Sequence, residues 1–288
     1  MPQPLQRSTS EYNLLPFDGY EVDGDERSVS GPCRLNNEDR SALLIPRELE
    51  RLQSHGLLAL VADGMGGHEG GEVASDLAAS LIPQHYYQLA EATQDALPRI
   101  WLQEAFHLAN RRIHETAQEQ PELAGMGTTC TGLVIRAGLA WCAHVGDSRA
   151  YLVREGQIYR MTQDHSATME MVNRGLLSLA DARHHEDRNV ILRAMGTYPD
   201  VLVSTWKDPF PIRPGDCFVL CSDGLHDALN DDEIGEQCVA QQSATQICDA
   251  LINLADTRQA SDNVTAVVLC VRKAGSKASA SEGGGSQP

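Results

Sequence analysis

Residues 128–162, TTCTGLVIRAGLAWCAHVGDSRAYLVREGQIYRMT, carry short apolar runs broken at Ala137-Gly138, Gly146-Asp147 and Glu155-Gly156. Breaks this short admit hairpins, whereas a parallel crossover needs about a dozen residues or more. The stretch is therefore expected to be an antiparallel meander. Around it, 72–90 follows a glycine-rich turn as a helix. Segment 97–119 places Leu102, Ala105, Phe106, Ala109 and Ile113 on one helical face. Residues 166–175 and 243–256 also read as helices. CFVLCS (217–222) and VTAVVLCV (264–271) are continuous apolar runs, the pattern of strands covered on both faces. Helices before and after an antiparallel array predict an α+β layered fold rather than a doubly wound parallel sheet.

A chain of 288 residues suffices for one large domain, and no linker or solenoid repeat divides it. Residues 1–16 are polar and contain proline, and 273–288 are rich in Gly, Ser and Ala. Both are expected to be disordered tails around a single domain at 17–272. Forty acidic residues against 23 basic give a net charge of −17. That field opposes binding to nucleic acid or an anionic membrane, so neither is expected as a partner. No apolar run reaches the ~18 residues of a spanning helix, and the N-terminus lacks a signal-peptide core. The eight cysteines sit largely in apolar runs, as Cys142, Cys217, Cys221 and Cys270 do, with no CxxC pair. Buried reduced thiols in a cytoplasmic monomer are expected, not a disulfide framework or a zinc site.

The chemistry-bearing residues stand where apolar runs begin or end. Asp63 closes LLALVAD, Asp147 closes WCAHVGD and Asp223 closes CFVLCSD. Asp262 precedes NVTAVVLCV, and Glu38 and Asp39 precede SALLIP. Carboxylates at several strand ends are candidates to converge on one rim. Without cations they would repel and take up protons. Hard oxygen ligands in number suit Mg²⁺ or Mn²⁺, and two such ions can share a bridging carboxylate. The turn after Asp63, DGMGGHEGGE, has no lysine for a Walker loop and breaks the GxGxxG pattern on Glu69. A phosphate cradle is therefore the weaker reading of its glycines.

Eight segments, in order, resemble the metal-dependent protein phosphatase family, the protein phosphatase 2C group of serine/threonine phosphatases, in its bacterial form. They are RLNNED (34–39), VADGMGGHEGGEVAS (61–75), GMGTTCTGLVI (125–135), AHVGDSRAYLVR (143–154), TQDHS (162–166), RNVILRAMG (188–196), LCSDGLHDAL (220–229) and SDNVTAVV (261–268). The resemblance spans about residues 18–272. It implies a central antiparallel β-sandwich flanked by helices on both sides, a four-layer α/β/β/α domain. The implied activity is hydrolysis of phosphoserine and phosphothreonine on proteins by a hydroxide bridging two Mn²⁺ or Mg²⁺ ions. The implied partners are phosphorylated proteins and an opposing serine/threonine kinase.

The same resemblance implies roles for single residues. Asp63 bridges two ions, Glu38 and the Gly64 carbonyl complete one, and Asp223 and Asp262 complete the other. Asp39 orients the attacking water. Asp147 holds a third, weaker ion with Asp223 and Asp227. Arg34 forks two phosphate oxygens, a geometry that suits guanidinium better than an ammonium; the competing reading is an ion pair with Glu38 or Asp39. His68 stands three residues after Met65, the position where some eukaryotic members carry a histidine proposed as general acid. It is a candidate acid here, with a turn or substrate contact as the alternative. His165 is expected to order its loop. Residues 163–200 match a flap beside the active site, and His184-His185 within it are expected to face solvent. A phosphoprotein-binding module without turnover and a cation-binding scaffold are the rival readings. Loss of ligands would mark the first, and neither Arg34 nor the flap would have a role in the second.

Overall fold

The computed structural model describes residues 19–32, 34–66, 70–93 and 96–274. Its elements run β1 (Tyr20–Val29), β2 (Asp39–Leu44), α1 (Leu49–His55), β3 (Leu57–Met65), α2 (Gly70–Ala92), α3 (Pro98–Glu119), β4 (Gly127–Thr128), β5 (Cys130–Arg136) and β6 (Leu139–Val145). There follow β7 (Arg149–Arg154), β8 (Gln157–Arg160), α4 (Ala167–Asn173), α5 (Leu179–Ala182), β9 (Ser204–Thr205), β10 (Phe210–Pro211), β11 (Cys217–Cys221), α6 (Asp223–Ala228), α7 (Asp231–Ala240), α8 (Ala244–Thr257) and β12 (Val264–Lys273). The first sheet has the order β1-β12-β11-β7-β8. The second has the order β10-β6-β5-β3-β2, with β4 on β3 and β9 on β6. Every pairing is antiparallel.

The period of two along each strand builds four layers. In β3, Leu58, Leu60 and Ala62 join Ile82 and Tyr86 of α2 and Phe106 and Ile113 of α3 in one core. The intervening Leu57, Ala59 and Val61 face the other sheet, meeting Leu152, Phe218, Leu220, Val267 and Leu269. In β11, Val219 and Cys221 turn outward to Ile234 of α7 and to Ile247 and Leu251 of α8. Both faces of β3 and β11 are therefore covered, which is why they read as unbroken apolar runs. Each fully buried Leu or Phe in these layers contributes roughly 1.5–3 kcal/mol.

One expectation is corrected. The stretch 128–162 is not a single meander. β5 and β6 pair in the second sheet, β7 and β8 pair in the first, and the chain leaves one sheet for the other between Val145 and Arg149. Gly146 makes the turn at φ 103°, and a Cβ there would meet the Thr129 side chain at 2.5 Å. No other residue type suits that position. The jump leaves Asp147 at the open end of the slot between the sheets.

The helices expected at 72–90, 97–119, 166–175 and 243–256 form at 70–92, 98–119, 167–173 and 244–257. The seven described cysteines are free, and all but Cys270 are buried. Among the described residues no helix is long and apolar enough to cross a membrane. Of the tail expected at 273–288, Lys273 closes β12 opposite Tyr20; residues 275–288, the segment 1–16, Cys33 and His68 lie outside the described residues.

Candidate active site

The sandwich core ends in a polar layer. β2 and β3 pair with Asp39 directly opposite Asp63, so the two side chains share a face. That face continues Ala59 and Val61, which point between the sheets. Asp39 is 2% exposed and accepts hydrogen bonds from Ser222 Oγ at 2.6 Å and Thr265 Oγ1 at 2.7 Å. Thr265 lies in β12 of the opposite sheet and Ser222 directly follows its β11, so one carboxylate ties the two sheets together at the rim. The Asp63 carbonyl accepts from Thr129 N at 2.8 Å and Thr128 Oγ1 at 2.9 Å, and its N–H donates to Thr129 Oγ1 at 3.2 Å. Thr129 Oγ1 and Ser148 Oγ are 2.6 Å apart, which links Asp63 to the turn that carries Asp147.

Glu38 sits beside this pair. Its carbonyl accepts from Ser75 Oγ at 2.5 Å and Gly64 N at 3.2 Å, and its N–H donates to Asn263 Oδ1 at 2.9 Å. Gly64 is enclosed: a Cβ there would lie 2.1 Å from the Gly71 carbonyl oxygen and 2.6 Å from that of Glu38. Asp223 opens α6, directly after β11. Asp262 approaches from the loop before β12 and pairs with Arg34, Nη2 to Oδ2 at 2.5 Å. The ion pair expected for Arg34 thus forms with Asp262, not with Glu38 or Asp39. Arg34 stays half-exposed at the mouth.

Like charges in an enclosed space decide the protonation of this rim. Burial, then the fields of Asp223, Asp39 and Asp147, push the Asp63 carboxyl well above the usual carboxylate range. Burial and the neighbouring Asp262 and Asp227 raise Asp223 to about 7. Burial and Asp223 raise Asp147 to about 7. Burial raises Asp39 to about 6, against the lowering pull of the Ser222 and Thr265 hydroxyls. Glu38 is raised by burial, with Arg34 opposing. Asp227 differs: burial would raise it, but His226, Arg149 and Arg188 hold it below its ordinary value. The structure therefore brings Asp39, Asp63, Asp147, Asp223, Asp227 and Asp262 within electrostatic reach of one another, with Glu38 and Arg34 at the edge.

The donor set fits hard divalent cations. It is carboxylate and carbonyl oxygen, and buried Asp147 Oδ1 has no hydrogen-bond partner. Among the described residues no three His, Cys, Asp or Glu side chains close around a single point. Mg²⁺-like ions need no such closure, because they keep several waters and take one or two carboxylates.

The protein phosphatase 2C family model matches residues 35–268. The chain belongs to this family. Among curated family members, a serine/threonine phosphatase stp of Listeria innocua is 31% identical over 243 residues, 84% of this chain and 93% of its own length. The crystal structure of the serine/threonine phosphatase Stp1 from Staphylococcus aureus superposes with a TM-score of 0.75 at 30% identity, covering 86% of this chain and 94% of that one. The catalytic domain of serine threonine protein phosphatase PstP in complex with 2 manganese ions gives 0.72 at 30% identity, covering 88% and 99%.

Several supporting residues of this family member were not singled out by the sequence pattern. Ser222 and Thr265 hold the Asp39 carboxylate, Thr128 and Thr129 hold the Asp63 backbone, and Asn263 accepts the Glu38 N–H; their signal was small polar residues beside the apolar runs. His165 accepts the Gly146 N–H on Nδ1 at 3.0 Å and bonds Ser204 through Nε2 at 2.9 Å. These bonds order its own loop, as expected, and tie that loop to the Asp147 turn. His184 is exposed and His185 half-buried. His226, 4% exposed, was overlooked although it adjoins Asp227.

Proposed function

We propose that the carboxylate rim is the catalytic centre of a metal-dependent serine/threonine protein phosphatase formed by residues 17–272. The observation that carries this reading is the set of enclosed, mutually coupled carboxyls of Asp39, Asp63, Asp147 and Asp223, whose ionised form calls for cations. Asp63 would bridge two Mn²⁺ or Mg²⁺ ions, with Glu38 and the Gly64 carbonyl on one side and Asp223 and Asp262 on the other. Asp147, Asp223 and Asp227 would hold a third. Bound there, such ions neutralise charge on a phosphoryl group and supply a water of lowered pKa.

The chain's own groups do the rest. Asp39, held by two hydroxyls, orients the attacking water and takes its proton. Arg34, half-exposed at the mouth, turns its fork from Asp262 to two phosphate oxygens. Hydrolysis then breaks the bond from phosphorus to the serine or threonine oxygen, with charge on the phosphoryl oxygens met by Arg34. His68 is the candidate donor to the leaving alkoxide. The flap at 163–200 covers the site and would contact the polypeptide around the phosphoresidue. Phosphorylated proteins, and through them an opposing serine/threonine kinase, are the proposed partners of a monomer. The free buried thiols suit the cytoplasm.

Phosphate release from phosphoserine and phosphothreonine peptides, with and without Mn²⁺, tests the reading. Wild-type protein should turn over only with metal. Asp223→Asn should fold and bind peptide but release no phosphate, because the apolar layers hold the fold independently. Near-wild-type turnover by Asp223→Asn in saturating Mn²⁺ would refute the assignment.

A further inference from the structure

Beneath the flap lies a small cavity of about 60 Å³ whose walls include Asp147, Asp223, His226 and Asp227. That volume exceeds the ~10–15 Å³ needed by one water. Two of these residues are more than nine-tenths buried and carry a polar atom with no hydrogen-bond partner: Asp147 Oδ1 and His226 Nδ1. Orphaned buried polar atoms are rare, and two beside one cavity call for a ligand that satisfies both.

The imidazole is already oriented. His226 Nε2 lies 3.1 Å from the backbone carbonyl oxygen of Asp147. A carbonyl only accepts, so Nε2 carries the proton and donates it. In the neutral ring Nδ1 then presents a lone pair. This is the arrangement by which proteins fix a metal-binding histidine, with the far nitrogen tethered to a carbonyl. The same residue, Asp147, supplies the tether from its backbone and an unpartnered oxygen from its side chain. Asp223, His226 and Asp227 follow one another at i, i+3 and i+4 on α6, so one helical face presents all three.

We propose that His226 Nδ1, with the Asp147 carboxylate, ligates a divalent ion beside Asp223, and that this nitrogen makes the position select a transition ion over Mg²⁺. Oxygen-only sites suit Mg²⁺, Ca²⁺ and Mn²⁺, whereas an imidazole adds affinity for Mn²⁺, Fe²⁺, Co²⁺ or Zn²⁺ and little for Mg²⁺. The inference rests on the phosphatase reading for Asp147 as an ion ligand, and adds a ligand and a metal preference to it. Without the ion, Asp227 Oδ1 lies 3.4 Å from Nδ1 and His226 helps hold that carboxyl low, so ligation displaces the Nδ1 proton; the competing arrangement is that this pair persists when metal is present.

Pulsed electron paramagnetic resonance on the full chain, loaded with Mn²⁺, reads ¹⁴N coupling directly. The two bridged ions should have oxygen ligands only, so any directly bound nitrogen reports the additional position. Wild-type protein should show the coupling. His226→Gln and His226→Thr should lose it and bind the weakest Mn²⁺ at least ten-fold less tightly, with Mg²⁺ titrations unchanged. His184→Gln, in the flap, should keep it. Wild-type protein without ¹⁴N coupling, coupling that survives in the folded His226 variants, or an unchanged Mn²⁺ titration in them would each overturn the proposal, the last favouring the Asp227 pair. If coupling is absent but Mn²⁺ binds and an aryl phosphate is hydrolysed, the His226 ligand fails and the phosphatase reading stands. If no Mn²⁺ binds, both fail.

Discussion

In metal-free protein, Asp147→Asn should raise stability above neutral pH and flatten its dependence on pH. The Asp147 carboxyl is 6% exposed and held at about 7 by burial and Asp223, against 3.8 for the free group. A folded-state value raised above the unfolded one means the native state binds more protons between the two. The stabilisation is complete below pH ~4 and lost as pH rises through ~7. A rise from 3.8 to about 7 corresponds to about 4 kcal/mol, of which roughly 3 falls between pH 5 and 8. Protonation of Asp223 relieves part of the same repulsion, so this single-site figure is a ceiling. For a domain of this size it amounts to about 6–12 °C in Tm. Thermal melts in EDTA at pH 5, 6.5 and 8 measure the difference between variant and wild type. That difference reports Asp147 together with the repulsion it shares with Asp63 and Asp223. Buried His144 and half-buried His165, lowered to about 4 and about 3 chiefly by desolvation, contribute stability as pH rises toward 6.5, equally in both proteins. Asp164 and Asp227, held below their ordinary values, titrate beneath this window. The variant should gain on wild type from pH 5 to 8 in EDTA and lose that advantage in saturating Mn²⁺. Parallel pH profiles in EDTA would refute the reasoning.

Two further substitutions probe the mouth and the turn. Arg34→Ala should lower kcat/KM for a phosphothreonine peptide by about 10–100-fold, the worth of a charge-assisted hydrogen bond, while calorimetric Mn²⁺ binding persists; an unchanged kcat/KM would leave Arg34 only its pair with Asp262. Gly64→Ala forces a methyl against the Gly71 and Glu38 carbonyls. It should cost roughly 1–3 kcal/mol and depress turnover per folded molecule, and a variant that melts and reacts like wild type would contradict that packing.

The layers were legible because burial on both faces writes itself into β3 and β11 as unbroken apolar runs. The strand-end carboxylates were legible for the same reason, since each interrupts such a run. Their pairing was not. Asp39 opposite Asp63 depends on the register of two strands, and Arg34 meets Asp262 across 228 positions of chain. The break at Gly146-Asp147 looked like one more hairpin, because a short glycine turn reads alike whether it returns along one sheet or crosses to the next. Gly138, Gly146 and Gly156 all have positive φ, and only the close Thr129 contact sets Gly146 apart. His226 carries no mark of its own in the sequence, standing between Asp223 and Asp227 in a run whose acids end the strand. Its spacing of three from Asp223 was the available signal.

In the proposed mechanism one carboxylate, Asp63, organises both metal binding and hydrolysis. Calorimetric titration of Mn²⁺ into wild-type and Asp63→Asn protein, with phosphopeptide turnover measured on the same samples, tests it most directly. Burial and three flanking carboxylates push Asp63 well above the usual carboxylate range, so Asn should relieve the metal-free protein rather than unfold it. The variant should melt no lower than wild type in EDTA, bind no pair of tight Mn²⁺ ions and release no phosphate. An Asp63→Asn protein that still binds two Mn²⁺ tightly and turns over peptide would contradict it.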